Sequence, residues 1–425
     1  MEYIKRIVDE EIALQLKVAG AIQIKGPKWC GKTTSARQVA KSVLELQNPD
    51  LQDNYLELAE TKPSLLLEGD KPRLIDEWQL APRLWNAVRY DIDKTGETGS
   101  YILTGSAVPL EDEKSKDLHT GVGRFAIVDM KPMTLYESGD SNGKISLHEL
   151  LEGKRDIDGI KTDLVFEKIA NVLCRGGWPN AIGLDEEVSA TVARNYLDVL
   201  CQSDISRVDG VKKDPELARA ILRAYARQTS TIDSDKAMYD DVRSNYALVS
   251  EATIASYIKS LKRLYVLEDI PAWNPNIRSK TAIRTSPKKS FVDPSLAVAA
   301  LGCSKKELML DMNTFGLLFE NMVGRDLSVY AKKYGGTLRH YRDRYGLECD
   351  NVIHFLDGRY ILAEVKLGAS KLKEAEEHLL ELNRLINESK DIKVKPSLLM
   401  IITGTDMAYV TRTGVLVVPI GCLKD

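Results

Sequence analysis

Eight residues near the N-terminus constrain the fold of this chain more than any other segment. Residues 26–33 read GPKWCGKT and match the pattern GxxxxGK[ST] at every fixed position. In loops of this kind the glycines allow backbone N–H groups to curl around a phosphate. The apolar run at 21–24 predicts a strand before the loop, and residues from about Thr33 to Leu46 predict a helix after it. The segment therefore predicts a phosphate-binding loop between a strand and a helix.

Two further apolar runs follow, at 73–76 and at 101–104, each separated from the previous run by a longer polar or helical stretch. Alternation of short strands with helices is typical of a parallel sheet. We therefore expect an α/β domain with a parallel sheet, the P-loop NTPase fold.

The expected nucleotide site combines the loop with residues at the ends of the later strands. Lys32 places a positive charge on the β- and γ-phosphates of ATP, and the Thr33 hydroxyl is a ligand for Mg²⁺. Asp76, at a strand end, is expected to hold the Mg²⁺ shell, and Glu77 to orient and deprotonate the attacking water. The residues expected to bind the cofactor are Gly26, Pro27, Lys28, Trp29, Cys30, Gly31, Lys32, Thr33 and Thr34.

Two other residues are candidates at this site, each with a structural alternative. Thr104 ends the third strand and is expected to sense the nucleotide state, although a strand-to-loop turn explains it as well. Arg124 is a candidate for stabilising transition-state charge, in cis or in trans, and otherwise a surface arginine.

A second constellation lies near the C-terminus. Asp350 is followed after thirteen residues by Glu364, Val365 and Lys366, with the turn signal Asp357-Gly358 between them. A hairpin at this turn brings the two carboxylates and Lys366 together, and such a group is suited to holding Mg²⁺ for phosphodiester cleavage. Glu320, on a preceding predicted helix, is a candidate further ligand.

This C-terminal pattern is similar to the PD-(D/E)xK nuclease superfamily, which implies a restriction-endonuclease-like α/β domain. A basic and aromatic stretch beside the hairpin suits a phosphate backbone. The alternative is an inherited nuclease fold that no longer cuts, with its charges paired to one another. The basic and aromatic residues are Arg339, Tyr341, Arg342 and Arg344.

The middle of the chain, from about 164 to 272, shows mostly helical spacing of apolar residues, clearest at 188–199 and 215–228. Residues 253–265 are typical of a winged-helix recognition helix, with the start of a wing at 265–267. A plain helical lid is the alternative interpretation.

Charge and cysteine usage exclude several classes of protein. The formal net charge is −3, so nucleic-acid contact requires a local patch rather than an overall basic field. The 6 cysteines are scattered without CxxC pairs, which argues against a zinc finger and a disulfide framework. The longest apolar runs have the length of strands, so we expect a cytoplasmic protein without membrane spans.

Six segments of the sequence together resemble a group of prokaryotic AAA-type ATPases whose C-terminal region has no known function. The resemblance covers nearly the whole chain and implies an AAA-like core over 1–160, a helical and winged-helix middle over 161–290 and a nuclease-like end over 291–425. It rests on residues 26–33, 75–79, 103–106, 123–124, 131–135 and 175–179, the last of which contains a Gly-Gly-Trp-Pro signature.

Two functional hypotheses follow. In the first, ATP hydrolysis with Mg²⁺ drives or gates a C-terminal module that processes nucleic acid. In the second, the chain is a nucleotide-controlled switch that binds DNA or a protein partner without cutting. Both hypotheses are compatible with assembly of the chain into a homo-oligomer.

Overall fold

The computed structural model describes residues 3–106, 120–232, 234–274, 286–343, 346–390 and 392–425. Of the residues named above, Arg344 lies outside these ranges. The chain divides into two compact units. The first comprises residues 1–132, 203–213 and 259–265, and the second comprises residues 133–202, 214–258 and 266–425.

The described residues contain the following elements, given in chain order. The helices are α1 Val8–Val18, α2 Lys32–Arg37, α3 Gln52–Thr61, α4 Arg83–Thr95, α5 Leu147–Leu151, α6 Phe166–Arg175, α7 Glu186–Val199, α8 Ile205–Arg207, α9 Pro215–Arg227, α10 Asp235–Asn245, α11 Glu251–Arg263, α12 Pro294–Leu301, α13 Lys305–Leu310, α14 Met312–Lys333 and α15 Leu372–Glu388. The strands are β1 Ala21–Lys25, β2 Ser42–Glu45, β3 Arg73–Asp76, β4 Tyr101–Gly105, β5 Phe125–Asp129, β6 Ile145–Ser146, β7 Gly336–Arg342, β8 Glu348–Phe355, β9 Tyr360–Lys366, β10 Leu398–Thr403, β11 Tyr409–Val410, β12 Leu416–Pro419 and β13 Leu423–Lys424.

The first unit is built on a five-stranded sheet in the order β2-β3-β4-β1-β5, and every neighbouring pair is parallel. The predicted parallel α/β sheet is therefore confirmed. The register pairs Ile24 with Thr104 and Leu44 with Ile75. Because β4 lies between β1 and β3, its carboxyl end is next to both the loop after β1 and the end of β3.

Apolar side chains cover both faces of the sheet at its central strands β1, β3 and β4, whereas the edge strands β2 and β5 are partly exposed. Successive residues of a strand point to opposite faces. Tyr101 and Leu103 accordingly belong to one buried cluster, with residues of α3 and α4. Ile22 and Ile102 belong to the other, with residues of α1 and α2.

The helix predicted from about Thr33 to Leu46 is wrong in its second half. Helix α2 ends at Arg37, and β2 begins at Ser42 and joins the edge of the sheet. Leu44 and Leu46 are both buried in the same cluster, a spacing of two that suits a strand. Pairing with β3 thus outweighs the local helical spacing, as tertiary context commonly does.

The second unit contains a six-stranded mixed sheet in the order β11-β12-β10-β9-β8-β7. Strands β7, β8 and β9 form an antiparallel meander, whereas β10 is parallel to β9. The hairpin predicted at Asp357-Gly358 is present, with Gly358 at a φ of 87° that favours glycine. Helix α14 precedes the meander, and α15 connects β9 to β10.

The helices predicted in the middle of the chain are also present, as α7, α9 and α11. After α11, Leu267 forms an isolated antiparallel bridge with Phe291. The winged-helix interpretation and the bounds of the three predicted domains stay predictions. Among the helices of the described residues, none is long and apolar enough to cross a membrane.

Candidate functional site

The phosphate-binding loop has a backbone that requires glycine at its first position. A Cβ atom on Gly26 would lie 2.0 Å from the carbonyl oxygen of Met130, so no side chain fits there. Gly31 has a φ of 102° at the residue where the loop turns into α2. Both fixed glycines of the motif therefore have a conformational reason in this chain.

Lys32, the motif lysine, is buried in the first turn of α2, and Thr34 lies in the same turn. Lys32 Nζ donates hydrogen bonds to the carbonyl oxygens of Gly26, at 3.0 Å, and Pro27, at 2.7 Å. The ammonium is thus held inside the curve of the loop, where a phosphate chain would run.

The middle of the loop carries a second lysine with a different partner. Lys28 Nζ donates to Asp204 Oδ1 at 2.8 Å, and the Asp204 side chain is 8% exposed. Trp29 is half exposed, whereas Cys30 is buried beneath the loop. Lys28 is therefore engaged by a carboxylate of residues 203–213, a contact that the sequence did not predict.

Asp76 at the end of β3 joins the loop to β4. Its Oδ1 accepts hydrogen bonds from Thr33 Oγ1, at 2.7 Å, and from Thr104 Oγ1, at 2.5 Å. This contact depends on the strand order, because β4 separates β1 from β3 and brings Thr104 between them. Three predicted site residues therefore meet at one carboxylate oxygen.

Glu77 has a backbone conformation that is uncommon for a residue with a side chain. Its φ of 56° and ψ of 47° lie in the left-handed region, which costs roughly 1–3 kcal/mol for a non-glycine residue. Its Oε2 accepts hydrogen bonds from Ser106 Oγ, at 3.0 Å, and from Gln79 Nε2. The carboxylate that was predicted to be the base is thus oriented by two donors at the carboxyl edge of the sheet.

Arg124 lies at the amino ends of the strands of this sheet, whereas the phosphate loop lies at their carboxyl ends. Arg124 immediately precedes β5, whose first residue pairs with Ala21 at the start of β1, whereas the phosphate loop follows Lys25 at the end of β1. The five residues of β1 separate the amino end of this strand from its carboxyl end by roughly 15 Å. Arg124 Nε instead donates to Asp93 Oδ1 at 2.7 Å, so the structure does not bring it to its own phosphate loop.

Arg6 contacts the backbone of the phosphate loop, and no motif in the sequence predicted this contact. Its side chain is buried, and it donates to the carbonyl oxygens of Cys30 and Lys131, both at 2.8 Å. A single arginine outside any motif thus joins the loop to the segment after β5.

The C-terminal carboxylates also converge, within the second unit. The register of β8 and β9 pairs Asn351 with Ala363, which places Asp350 beside Glu364. Lys366 Nζ donates to Glu364 Oε2 at 2.7 Å and lies 3.5 Å from Asp350 Oδ2. The Val365 amide donates to Asp350 Oδ2 at 2.8 Å, which fixes this carboxylate.

Lys288 is a member of this cluster that sequence reasoning missed. Its Nζ donates to Glu320 Oε1 at 2.5 Å and to the carbonyl oxygen of Asp350 at 2.7 Å. It also lies 3.9 Å from Asp350 Oδ1. The two lysines and three carboxylates therefore form one connected group, here called the C-terminal charge cluster: Lys288, Glu320, Asp350, Glu364 and Lys366.

The three carboxylates of the cluster have shifted pKa values, two of them raised and one lowered. Burial, and then the charge of Asp350, raises the pKa of Glu364 to about 8 and that of Glu320 to about 7. Burial also opposes ionisation of Asp350, but Lys288, Lys366 and the Val365 amide outweigh it and hold its pKa below the ordinary value. Asp350 is therefore the carboxylate of the cluster whose ionised form its neighbours favour.

No group of three or more His, Cys, Asp and Glu side chains in the described part of the chain is arranged to hold a metal ion. In the C-terminal charge cluster the places beside the carboxylates are taken by ammonium groups. As arranged, the cluster does not fit a divalent cation, and metal binding by Asp350 and Glu364 stays a prediction.

Comparison with protein families places three matches along the chain. Residues 18–138 match a family described as an AAA domain. Residues 166–307 and 315–423 match two domains of unknown function, DUF8612 and DUF4143. The match to the AAA domain covers the phosphate loop and all five strands of the sheet in the first unit. The phosphate loop, Asp76, Glu77 and Thr104 all lie inside it.

Among curated proteins, the chain is similar to an uncharacterized protein of Mycobacterium tuberculosis, with 25% identity over 356 residues, 82% of this chain and 70% of the relative. An uncharacterized protein of Haemophilus influenzae is 22% identical over 264 residues, 62% of this chain and 59% of the relative.

Two solved structures are also similar. A Walker-type ATPase of Pyrococcus abyssi has a TM-score of 0.43 and 14% identity, covering 70% of this chain and 96% of that one. The Aeropyrum pernix ORC1 protein in complex with DNA has a TM-score of 0.25 and 12% identity, covering 69% of this chain and 91% of that one.

Proposed function

We propose that this chain binds ATP with Mg²⁺ and hydrolyses it at the site formed by the phosphate loop, Asp76 and Glu77. The observation that carries the proposal is the meeting of Thr33 and Thr104 on Asp76, next to a Glu77 that is held by Ser106. A loop with the right sequence can arise by chance. A loop joined by a hydrogen bond to Asp76, with the Glu77 carboxylate held beside it by Ser106 and Gln79, is much harder to explain without that function.

The residues present fit Mg²⁺ and a triphosphate. Mg²⁺ in such sites is held by one or two protein oxygens together with phosphates and water, which suits the Thr33 hydroxyl and the Asp76 carboxylate. When bound, Mg²⁺ neutralises charge on the phosphates. The backbone of the loop would hold the phosphates, and Lys32 would add a fixed positive charge.

Glu77 and its neighbours would supply the remaining chemistry. The Glu77 carboxylate would accept a proton from water at the carboxyl edge of the sheet. Ser106 and Gln79 orient that carboxylate, and Thr104 would connect the position of Asp76 to the end of β4. Arg124 would stabilise transition-state charge only at the site of a second copy of the chain, since it lies at the amino ends of the strands and its own phosphate loop lies at their carboxyl ends.

Lys32→Ala tests the assignment of the loop. Removing the ammonium should lower ATP turnover by several orders of magnitude, on the order of the 10³–10⁵ that a transition-state cation contributes in related chemistry. The measurement is steady-state phosphate release with Mg²⁺ and with a chelator. Lys41→Ala, at an exposed lysine of the same unit, is the matched control and should retain turnover. Equal turnover in all three proteins would remove the assignment.

A second activity is proposed for the C-terminal part, namely nucleic-acid cleavage that nucleotide state drives or gates. Two observations favour it. Glu320, Asp350, Glu364 and Lys366 converge, and the order α14, β7, β8, β9, α15, β10 is the order expected for a restriction-endonuclease-like core. The alternative is a switch that binds DNA or a protein partner without cutting.

A plasmid-nicking assay with Mg²⁺ or Mn²⁺, with and without ATP, separates the two. Nicking that disappears in Glu364→Gln supports cleavage. A protein that turns over ATP normally and never nicks DNA or RNA supports the switch.

A further inference from the structure

Lys288 reaches the C-terminal charge cluster from a segment outside the predicted nuclease-like core. It lies within residues 166–307, whereas Glu320, Asp350, Glu364 and Lys366 lie within 315–423, so two separate family matches meet at this point. The Lys288 amide donates to the Ile270 carbonyl at 2.9 Å, and the Ile270 amide donates back at 2.8 Å. The backbone of Lys288 is therefore fixed by a reciprocal pair of hydrogen bonds.

The side chain of Lys288 is buried, with the whole residue 7% exposed. Its ammonium contacts a carboxylate oxygen of Glu320 and a backbone oxygen of Asp350, with an Asp350 carboxylate oxygen slightly further away. An ammonium buried in this way needs acidic partners, since burial alone disfavours its charge. Glu320 and Asp350 provide them and raise the pKa of Lys288 above its ordinary value despite that burial.

The contacts of Lys288 are those that a divalent cation would need. Mg²⁺ and Mn²⁺ prefer carboxylate and carbonyl oxygens from several directions. The Lys288 ammonium already contacts oxygens of this kind from α14 and β8. A divalent cation beside Asp350 would meet the positive charge of Lys288 at close range in a site with little water, where like charges repel strongly.

We propose that Lys288 is the resident cation beside Glu320 and Asp350, and that a divalent metal binds to these two carboxylates only when the Lys288 ammonium moves away from them. This inference deepens the proposed C-terminal activity by naming what controls metal access to the site. It requires the convergence of the carboxylates but not that the site cuts nucleic acid.

Lys288→Met provides the test, because it keeps the length of the side chain and removes the charge. The nucleotide-free full-length protein is titrated with MnCl₂, free Mn²⁺ is measured by electron paramagnetic resonance, and the melting temperature is recorded with and without Mn²⁺. The variant should bind one additional Mn²⁺ with an affinity at least about tenfold above any site in the unaltered protein, since a nearby unit charge is removed. Its melting temperature should rise with Mn²⁺.

Two further variants make the result specific. Lys289→Met removes the next lysine, which is also buried but pairs with Asp235, so it should gain no Mn²⁺ site. Lys288→Met combined with Glu320→Gln removes the ammonium and one of its carboxylates together. This double variant should fold with a near-normal charge balance and should lose most of the gained affinity.

Several results would overturn the inference. One is equal Mn²⁺ binding by the unaltered protein and Lys288→Met, and another is a gain that persists in full with Glu320→Gln. A Lys288→Met protein that stays unfolded even with Mn²⁺ would also overturn it, because the metal should replace the lost cation. Nicking is measured in the same samples. Gained Mn²⁺ without nicking would leave the inference standing and remove the proposed nuclease activity.

Discussion

At the scale of single residues, Glu77 combines a strained backbone with a carboxylate held by two donors. Strain of this kind persists only where surrounding structure imposes it, and it is concentrated at functional sites. The sequence identified Glu77 from its position after a predicted strand. It could not identify Ser106 as a partner, because that contact depends on β4 lying beside β3.

Glu364 carries a prediction about pH. Its pKa in the folded protein is about 8, above the ordinary value near 4.5, so the folded state binds a proton more tightly than the unfolded state. The stability that Glu364 contributes is therefore complete at low pH and is lost as pH rises through 8. Glu364→Gln stays neutral at every pH and avoids this loss.

The stability of Glu364→Gln relative to the unaltered protein should consequently rise between pH 5.5 and pH 8.5, by an amount on the order of 1–3 kcal/mol. Urea unfolding at several pH values measures the difference. Glu381→Gln, at an exposed position of α15, should show no such trend. A constant difference across this range would mean that Glu364 is ionised at neutral pH.

At the scale of elements, α14 is joined to distant parts of its unit by a buried ionic network. Arg325 donates to Asp293 Oδ2 at 2.7 Å and to Asp326 Oδ1 at 2.8 Å. Asp293 also accepts the Gly177 amide at 3.0 Å, and Asp326 accepts the Leu135 amide at 2.9 Å. The Gly-Gly-Trp-Pro signature is therefore anchored to α14 through carboxylates, which gives that segment of the sequence a structural role.

Arg325→Met should strongly destabilise the second unit, because it leaves two buried carboxylates without their cation. Breaking a buried ion pair on one side costs about 3–5 kcal/mol. The measurement is the free energy of unfolding in urea. The control is Arg384→Met, which removes an arginine of α15 whose partners Glu381 and Glu388 are exposed. If both variants unfold at the same urea concentration, the network does not anchor α14.

At the scale of the whole molecule, the sequence predicted those structural features that depend on residues close together in the chain. The phosphate loop, the strands around it, the hairpin between Asp350 and Glu364, and the helix that precedes that hairpin are each specified by a short motif or a clear period. These predictions were possible because turn residues and alternation act within a few positions of the chain.

The parts that the sequence could not predict depend on distant contacts. Strand β2 has a local pattern that also suits a helix, and only its pairing with β3 decides the outcome. Arg6, Asp204 and Lys288 each reach a site from a remote segment and belong to no motif. A charged residue that becomes buried by a contact of this kind looks like any surface residue in the sequence.

The central claim is that the first unit hydrolyses ATP with Glu77 as the base, and Glu77→Gln tests it most directly. The substitution keeps the shape of the side chain and removes its ability to accept a proton, while Asp76, Thr33 and Lys32 stay in place. ATP affinity is measured with a fluorescent analogue and ATP competition, alongside steady-state turnover. Glu57→Gln, at an exposed position of α3, is the control.

The account predicts that Glu77→Gln binds ATP within about threefold of the unaltered protein, while turnover falls by roughly 10²–10⁴, the range for loss of a general base. The control should keep both values. Normal turnover per bound ATP in Glu77→Gln, with or without weaker binding, would contradict the account.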